Sequence, residues 1–418
     1  MKKWIALFLG LLIVCTACFA IAEEDADAIV DKGNEALEAK DYATAMEQYT
    51  RAADLGNARG ACNIGYLYQN GLGVEQDYEK AIEYYEKASA MGMDVATANL
   101  GWLYYSGEGV KQDTGKALEY FKLAAEQGNT GAIGQLGWLY YSGEGVKQDY
   151  GKALEYFKLA AEQGNTEAIG QLGYMYCNGI GVDTDYEKAI EYYTKGVELG
   201  DAFSAHNLGW MYDTGTGVEQ DHKKAIEYYT KAAEAGGALS LYTLGVIYYY
   251  GEGVEKSNEK ALEYMIKAAE AGSPEAYGFA ASMYQEGEGV EKSPEKAVEY
   301  YRAGAELGDM FSCTNLGWAY YEGNGVEQDY EKAMEYSLKS AAQGDYCAID
   351  TIATLYRDGL GVKQDYEKAA DLYWMAWKLC DDPDESVREE YKEEYDQLIK
   401  DGKIPADYEP KEVTFESK

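Results

Sequence analysis

Two short spacings in this chain could carry nucleophilic chemistry. Ser257-Asn258-Glu259-Lys260 and Ser293-Pro294-Glu295-Lys296 both read S-x-x-K, which sets a hydroxyl and an amine about one helical turn apart, as nucleophile and base stand in penicillin-interacting serine enzymes. Each serine, however, occupies a position that is aspartate in other copies of a repeated segment, and each lysine is lysine in every copy. Helix capping accounts for both serines. His206 and His222 are the two histidines, and the sequence gives them no nucleophile–base partner and no metal-ligand set. Packed or solvated imidazoles are the simpler reading. Asp381, Asp382, Asp384 and Glu385 could hold calcium weakly but lack the spacing of a helix–loop–helix calcium loop, so a solvated helix start is expected. No catalytic residue, cofactor or metal site is expected.

The same holds for cysteine and glycine chemistry. Beyond residue 22 the chain has Cys62, Cys177, Cys313, Cys347 and Cys380, an odd set that shares no repeat position and includes no C-x-x-C pair. That is neither a disulfide framework nor a zinc or redox site; buried free thiols are the expected reading, with an incidental bridge the alternative. The many G-x-G runs follow helical rather than strand patterns and lack a third glycine at dinucleotide spacing, so they read as turns.

Stepping from residues to composition, the chain has 418 residues, 47% hydrophobic and 14% aromatic, with 47 glycines, 42 tyrosines and only 5 prolines. This is core material punctuated by glycine turns rather than a disordered composition. The formal net charge is −37. A field of that sign repels phosphate backbones and anionic headgroups, which excludes nucleic acid and acidic membrane surfaces as natural partners and favours cationic ones.

The first 22 residues have export chemistry. Lys2 and Lys3 precede an apolar run from Trp4 to Val14, then small residues and Ala20-Ile21-Ala22. This is a signal peptide, with cleavage expected after Ala22, and the apolar run is too short for a spanning helix. A rival reading attaches a lipid at Cys18, although Cys15 stands three residues before it where leucine is usual. No later stretch is apolar enough to span a bilayer. The product is expected outside the cytoplasm: secreted, periplasmic or at the cell surface.

What must position any site is a repeat. The tetrad G-x-G-V begins at Gly71, Gly107, Gly143, Gly179, Gly215, Gly251, Gly287, Gly323 and Gly359, always 36 residues apart. A tyrosine stands three residues before each, from Tyr68 to Tyr356, and a lysine nine after, from Lys80 to Lys368. Segments 101–137 and 137–173 differ only at Thr114/Tyr150 and Gly131/Glu167.

Each copy reads as two helices. Leu100, Gly101, Leu103 and Tyr104 belong to a first helix closed at Gly107, where glycine can take the left-handed conformation. Asp113 caps a second, whose Ala117, Tyr120, Phe121, Ala124 and Ala125 form one apolar stripe. Such a pair cannot bury its own apolar side, whereas a stack can. Residues 23–56 form a helix pair with a tighter loop, 57–380 the regular repeats, 381–402 a polar capping helix and 403–418 an irregular tail. The fold expected is all-α, a solenoid of about ten helix-turn-helix repeats.

The run Leu136, Gly137, Tyr140, Gly143, Gly145, Val146, Asp149, Lys152, Ala153, Tyr156, Ala160, Gly164 resembles the Sel1-like repeat, a relative of the tetratricopeptide repeat. Residues 29–56 look more like an ordinary tetratricopeptide unit. The resemblance implies a right-handed superhelix that assembles or regulates protein complexes. One exported branch of the family carries a cysteine pair in each repeat and is described as β-lactam-binding; this chain lacks those pairs.

In tetratricopeptide relatives, the positions two and five before each tetrad line a concave, peptide-binding groove. Here they hold Tyr66, Trp102, Tyr105, Trp138, Tyr141, Tyr174, Trp210, Tyr249, Trp318 and Tyr321. Aromatic rings beside carboxylates suit peptides, cationic side chains or sugars. The alternative is that these rings pack between neighbouring first helices. Three functions follow: a monomeric exported scaffold for a protein or peptide, a β-lactam-binding or hydrolysing envelope protein by family analogy, or a carbohydrate-binding module.

Overall fold

In the computed structural model, residues 25–380 and 385–415 are described. They are helical with short connections and contain no strand, and no described helix is long and apolar enough to cross a membrane. The chain forms two compact units that divide between Leu199 and Gly200.

The first unit holds α1 (Ala26–Glu38), α2 (Tyr42–Asp54), α3 (Ala58–Asn70), α4 (Tyr78–Ala90), α5 (Asp94–Ser106), α6 (Thr114–Glu126), α7 (Thr130–Ser142), α8 (Tyr150–Glu162), α9 (Thr166–Asn178) and α10 (Tyr186–Glu198). The second holds α11 (Ala202–Thr214), α12 (His222–Glu234), α13 (Ala238–Tyr250), α14 (Asn258–Glu270), α15 (Pro274–Glu286), α16 (Pro294–Glu306), α17 (Met310–Glu322), α18 (Tyr330–Ala341), α19 (Tyr346–Asp358), α20 (Tyr366–Leu379) and α21 (Glu385–Lys400). Within each unit every helix packs on the next in sequence. That serial packing is an α/α solenoid.

The local chemistry repeats with the helices. Gly107 closes α5 at φ 77°, and its amide donates to the Leu103 carbonyl. Gly109, two residues on, is also left-handed at φ 71°, and a Cβ there would lie 2.0 Å from that of Tyr78. The loop therefore folds back onto the preceding second helix only because position 109 has no side chain. Asp113 then accepts the Lys116 amide at 3.0 Å and starts α6.

Packing inside a pair rests on another glycine. A Cβ at Gly137 in α7 would meet the Phe157 ring of α8 at 2.7 Å. The hydrogen at that position lets the helices close over a fully buried ring. Tyr85, Tyr193, Tyr229, Tyr301 and Tyr373 fill the same slot in other copies and are likewise buried. This places five of the tyrosines that composition left without a role.

The terminal copy is finished by α21, which packs on α20 and buries Tyr391, Tyr395 and Leu398. The segment after it is irregular yet fixed. Tyr408 Oη and the Lys411 amide both donate to Asp371 of α20, at 2.9 and 2.8 Å, and Tyr395 Oη donates to the Tyr408 carbonyl. The expected signal segment and Cys18 lie outside the described residues, as do Asp381, Asp382 and Asp384 and the side chain of Glu385.

Candidate functional site

The two S-x-x-K segments are helix starts. Ser257 Oγ accepts the Lys260 amide and Ser293 Oγ the Lys296 amide, each at 3.3 Å. The lysine ammonium groups point elsewhere, onto the rings of Tyr248 and Tyr284 at 4.9 and 5.2 Å. Among the described residues, neither lysine ammonium group hydrogen-bonds to the serine of its own segment.

His206 packs between α11 and α13, with Nδ1 2.9 Å from the buried Ser240 hydroxyl and its ring against Tyr229. Burial lowers its pKa, so it is neutral at pH 7. His222 Nδ1 lies 2.7 Å from an Asp213 carboxylate oxygen at the surface. Cys62, Cys177, Cys313 and Cys380 are buried free thiols, but Cys347 is exposed, a correction to the sequence reading. It falls in the first turn of α19, where the chain enters the helix from solvent; its thiol still lies on Tyr391, and burial pushes it up to about 11.

Those lysines belong to a regular feature that sequence reasoning missed. In all nine copies the lysine nine residues after the tetrad glycine sits over the tyrosine three residues before it, with Nζ 4.3–5.2 Å from the ring centroid. In eight copies that tyrosine also stacks on a second-helix tyrosine, as Tyr140 does on Tyr156 at 5.6 Å. The fixed spacing of tyrosine and lysine was the available signal. It marks an internal cation–π contact, not a binding residue.

The ten aromatic positions are a different surface. Trp102 and Trp318 remain 46% and 47% exposed, and Tyr66 and Trp210 are exposed as well. Tyr105, Trp138, Tyr141, Tyr174, Tyr249 and Tyr321 are half-buried. The rings pack on one edge and show the other to solvent.

In the first unit, Trp102 meets Tyr105 edge-on at 5.7 Å and stands on the buried Phe121 at 5.4 Å. Trp138 repeats this with Tyr141 at 5.7 Å and Phe157 at 5.6 Å. Each is a corner of two nearly perpendicular rings on a rigid floor. Each also has one carboxylate. Tyr105 Oη donates to Glu144 at 2.8 Å, and Trp138 Nε1 donates to Glu167 at 3.0 Å. Glu144 holds the Tyr105 hydroxyl in its protonated form, raising its pKa. Glu144 was not singled out in the sequence, and Glu167 only as a difference between two copies, because each is contributed by the following repeat.

In the second unit Trp318 and Tyr321 stack at 5.2 Å, while Tyr249 packs edge-on against Phe279 and Tyr250, both at 5.0 Å. The ladder is interrupted at α15, where the two positions hold Ser282 and Gln285, and ends at α19. There the same two positions hold Thr354 and Arg357, which with Asp350, Glu390, Tyr391 and Glu394 line an open cleft of about 430 Å³ against α21.

The family model described as Sel1 repeat matches ten segments, from residues 32–57 to 352–376. No curated protein matches the chain. Among solved structures, an Escherichia coli protective antigen, described as displaying an SLR fold and present in uropathogenic strains, is 29% identical; the match covers 94% of this chain and 97% of that one, with a TM-score of 0.55. A Sel1 repeat protein from Oxalobacter formigenes is 35% identical over 58% of this chain and 99% of its own, also at 0.55.

Proposed function

The chain belongs to the Sel1 repeat family of interaction scaffolds, and from that premise we propose that it is an exported scaffold that binds a protein or peptide along the first-helix face. The observation that carries this reading is the ladder of tryptophans and tyrosines that keep a solvent-facing edge at a fixed repeat position. Large rigid rings held on a buried floor supply contact area at little entropic cost, as interface anchors do. The charge of −37 favours a partner with basic groups. The export signal read from residues 1–22 would put that encounter outside the cytoplasm.

The test is affinity capture with the mature chain, comparing it with a Trp102→Ala, Trp138→Ala, Trp210→Ala variant whose helicity and melting profile show that it still folds. Loss of the same identified partner from the variant supports the reading. Unchanged recovery of that partner by the folded variant overturns it.

A further inference from the structure

The tyrosine edge shows how this chain uses aromatic rings, since every one of its nine tetrad tyrosines is covered by a lysine of the same copy. The two corners of the first unit have the same components, ring faces with a carboxylate at hydrogen-bond distance. Among the described residues, no lysine or arginine lies over Trp102, Tyr105, Trp138 or Tyr141.

The second unit contains the filled form of the arrangement. Tyr249 holds the repeat position of Tyr105, and Glu288, at the repeat position of Glu144, raises the pKa of its hydroxyl as Glu144 does that of Tyr105. There Lys256 lies over the ring at 4.9 Å. Lys256 occupies a position that is glutamine in six copies, among them Gln112 and Gln148, whose side-chain amides donate to the Tyr105 and Tyr141 carbonyls at 2.9 Å. Where the chain supplies a lysine, the site is closed; where it supplies glutamine, the ring faces are left for another cation.

We propose that the Trp102–Tyr105 and Trp138–Tyr141 corners are tandem sites for two basic side chains of one extended partner segment. This rests on the scaffold reading above and specifies its ligand. The corners sit on near-identical repeats and share their two rings, but each has its own carboxylate, Glu144 on the Tyr105 hydroxyl of one and Glu167 on the Trp138 indole of the other, where the matching positions in the other copy are Ile180 and Gly131. First helices of successive repeats come into contact in this unit, as α7 and α9 do, and packed helices stand about 8–10 Å apart. A polyproline II segment brings residues i and i+3 to the same side about 9 Å apart, so lysines or arginines at i and i+3 match the pair.

The experiment titrates the mature chain with proline-hosted peptides carrying lysines at i and i+3, lysines at i and i+2, or norleucines at i and i+3. The first should bind about tenfold more tightly than the norleucine peptide and weaken with added salt. Glu144→Gln, an exposed and conservative change, should reduce that binding several-fold with helicity unchanged, and Trp102→Ala should reduce it further. Equal binding of the norleucine peptide overturns the cation preference while leaving an apolar docking face intact. Equal binding at i and i+2 overturns the tandem pairing. Absence of binding by all three overturns the proposal, and the partner-capture comparison then decides separately whether the scaffold reading stands.

Discussion

Two sets of aromatic rings lie on the first helices of each repeat, one position apart in part of their register, and they meet opposite fates. The tyrosine three residues before each tetrad is identical and covered by a lysine in nine copies, and stacked on a second-helix tyrosine in eight of them. The positions two and five before it hold tryptophan or tyrosine in some copies and Thr354, Arg357, Gln69 or Asp213 in others. A ring whose partners come from its own copy is fixed by the requirement that every copy close in the same way. A ring whose outer face has no partner within the copy is free to differ. In a repeat protein, uniformity therefore marks construction, and variation along one face marks where copies were given separate tasks.

The largest effect that tests this contrast comes from the floor shared by both sets. Phe157 is fully buried against Gly137 and carries Trp138 on its edge. Phe157→Ala should cost about 3–5 kcal/mol, read as a lower denaturant midpoint, and should also release the corner above it. Trp138→Ala, which removes a half-buried ring, should cost less than half as much and leave cooperative unfolding intact. Equal losses would mean that the ladder is core, and the distinction between the faces would fail.

A second effect sits where the ladder stops. Asp350 in α19 faces Glu390 and Glu394 of α21, with Arg357 and Tyr373 nearby. Arg357 is already paired, with Asp358 at 2.8 and 2.9 Å and with Glu394 at 2.8 Å. Burial, reinforced by Glu394, raises the Asp350 carboxyl to about 6. The unfolded value is about 3.9, so between these values the folded chain holds more protons, and stability falls as pH rises through that window. Asp350→Asn should raise stability at pH 7 by about 2 kcal/mol and flatten the pH profile of melting between about pH 4 and 6. A variant with the parental slope would show that the terminal copy pays no electrostatic penalty for its polar face.

The helix pairs, their caps and their order were legible in the sequence because each depends on contacts within about one 36-residue period. Gly107, Asp113 and the Ala117–Ala125 stripe declare themselves locally. The ladder positions were legible too, but not their chemistry. Glu144 reaches Tyr105 from 39 residues away and Glu167 reaches Trp138 from 29, across the boundary between copies. Aligning copies compares like with like and hides such cross-copy contacts. The tyrosine–lysine contact escaped for another reason. Its partners were seen as an invariant spacing, but a loop of unknown path lay between them until Gly109 showed that it folds back.

The smallest effect is also the most direct comparison of an open face with a closed one. Lys256 covers Tyr249, while glutamine at the matching position leaves Tyr105 and Tyr141 uncovered. Lys256→Gln substitutes the residue that six copies already carry, and it can make the bond to the first-helix carbonyl that Gln112 and Gln148 make, so the fold is not at issue. What changes is the Tyr249 ring, which loses its cation but retains Glu288 beside its hydroxyl. If occupancy alone separates the two states, the variant should bind tetramethylammonium a few-fold more tightly than the parent by calorimetry, as expected for one exposed cation–π contact of about 0.5–1 kcal/mol. The gain should disappear when Tyr249→Leu is added. Identical affinities for parent and variant would show that the lysine does not block a site, and the second unit could no longer serve as the filled counterpart of the first.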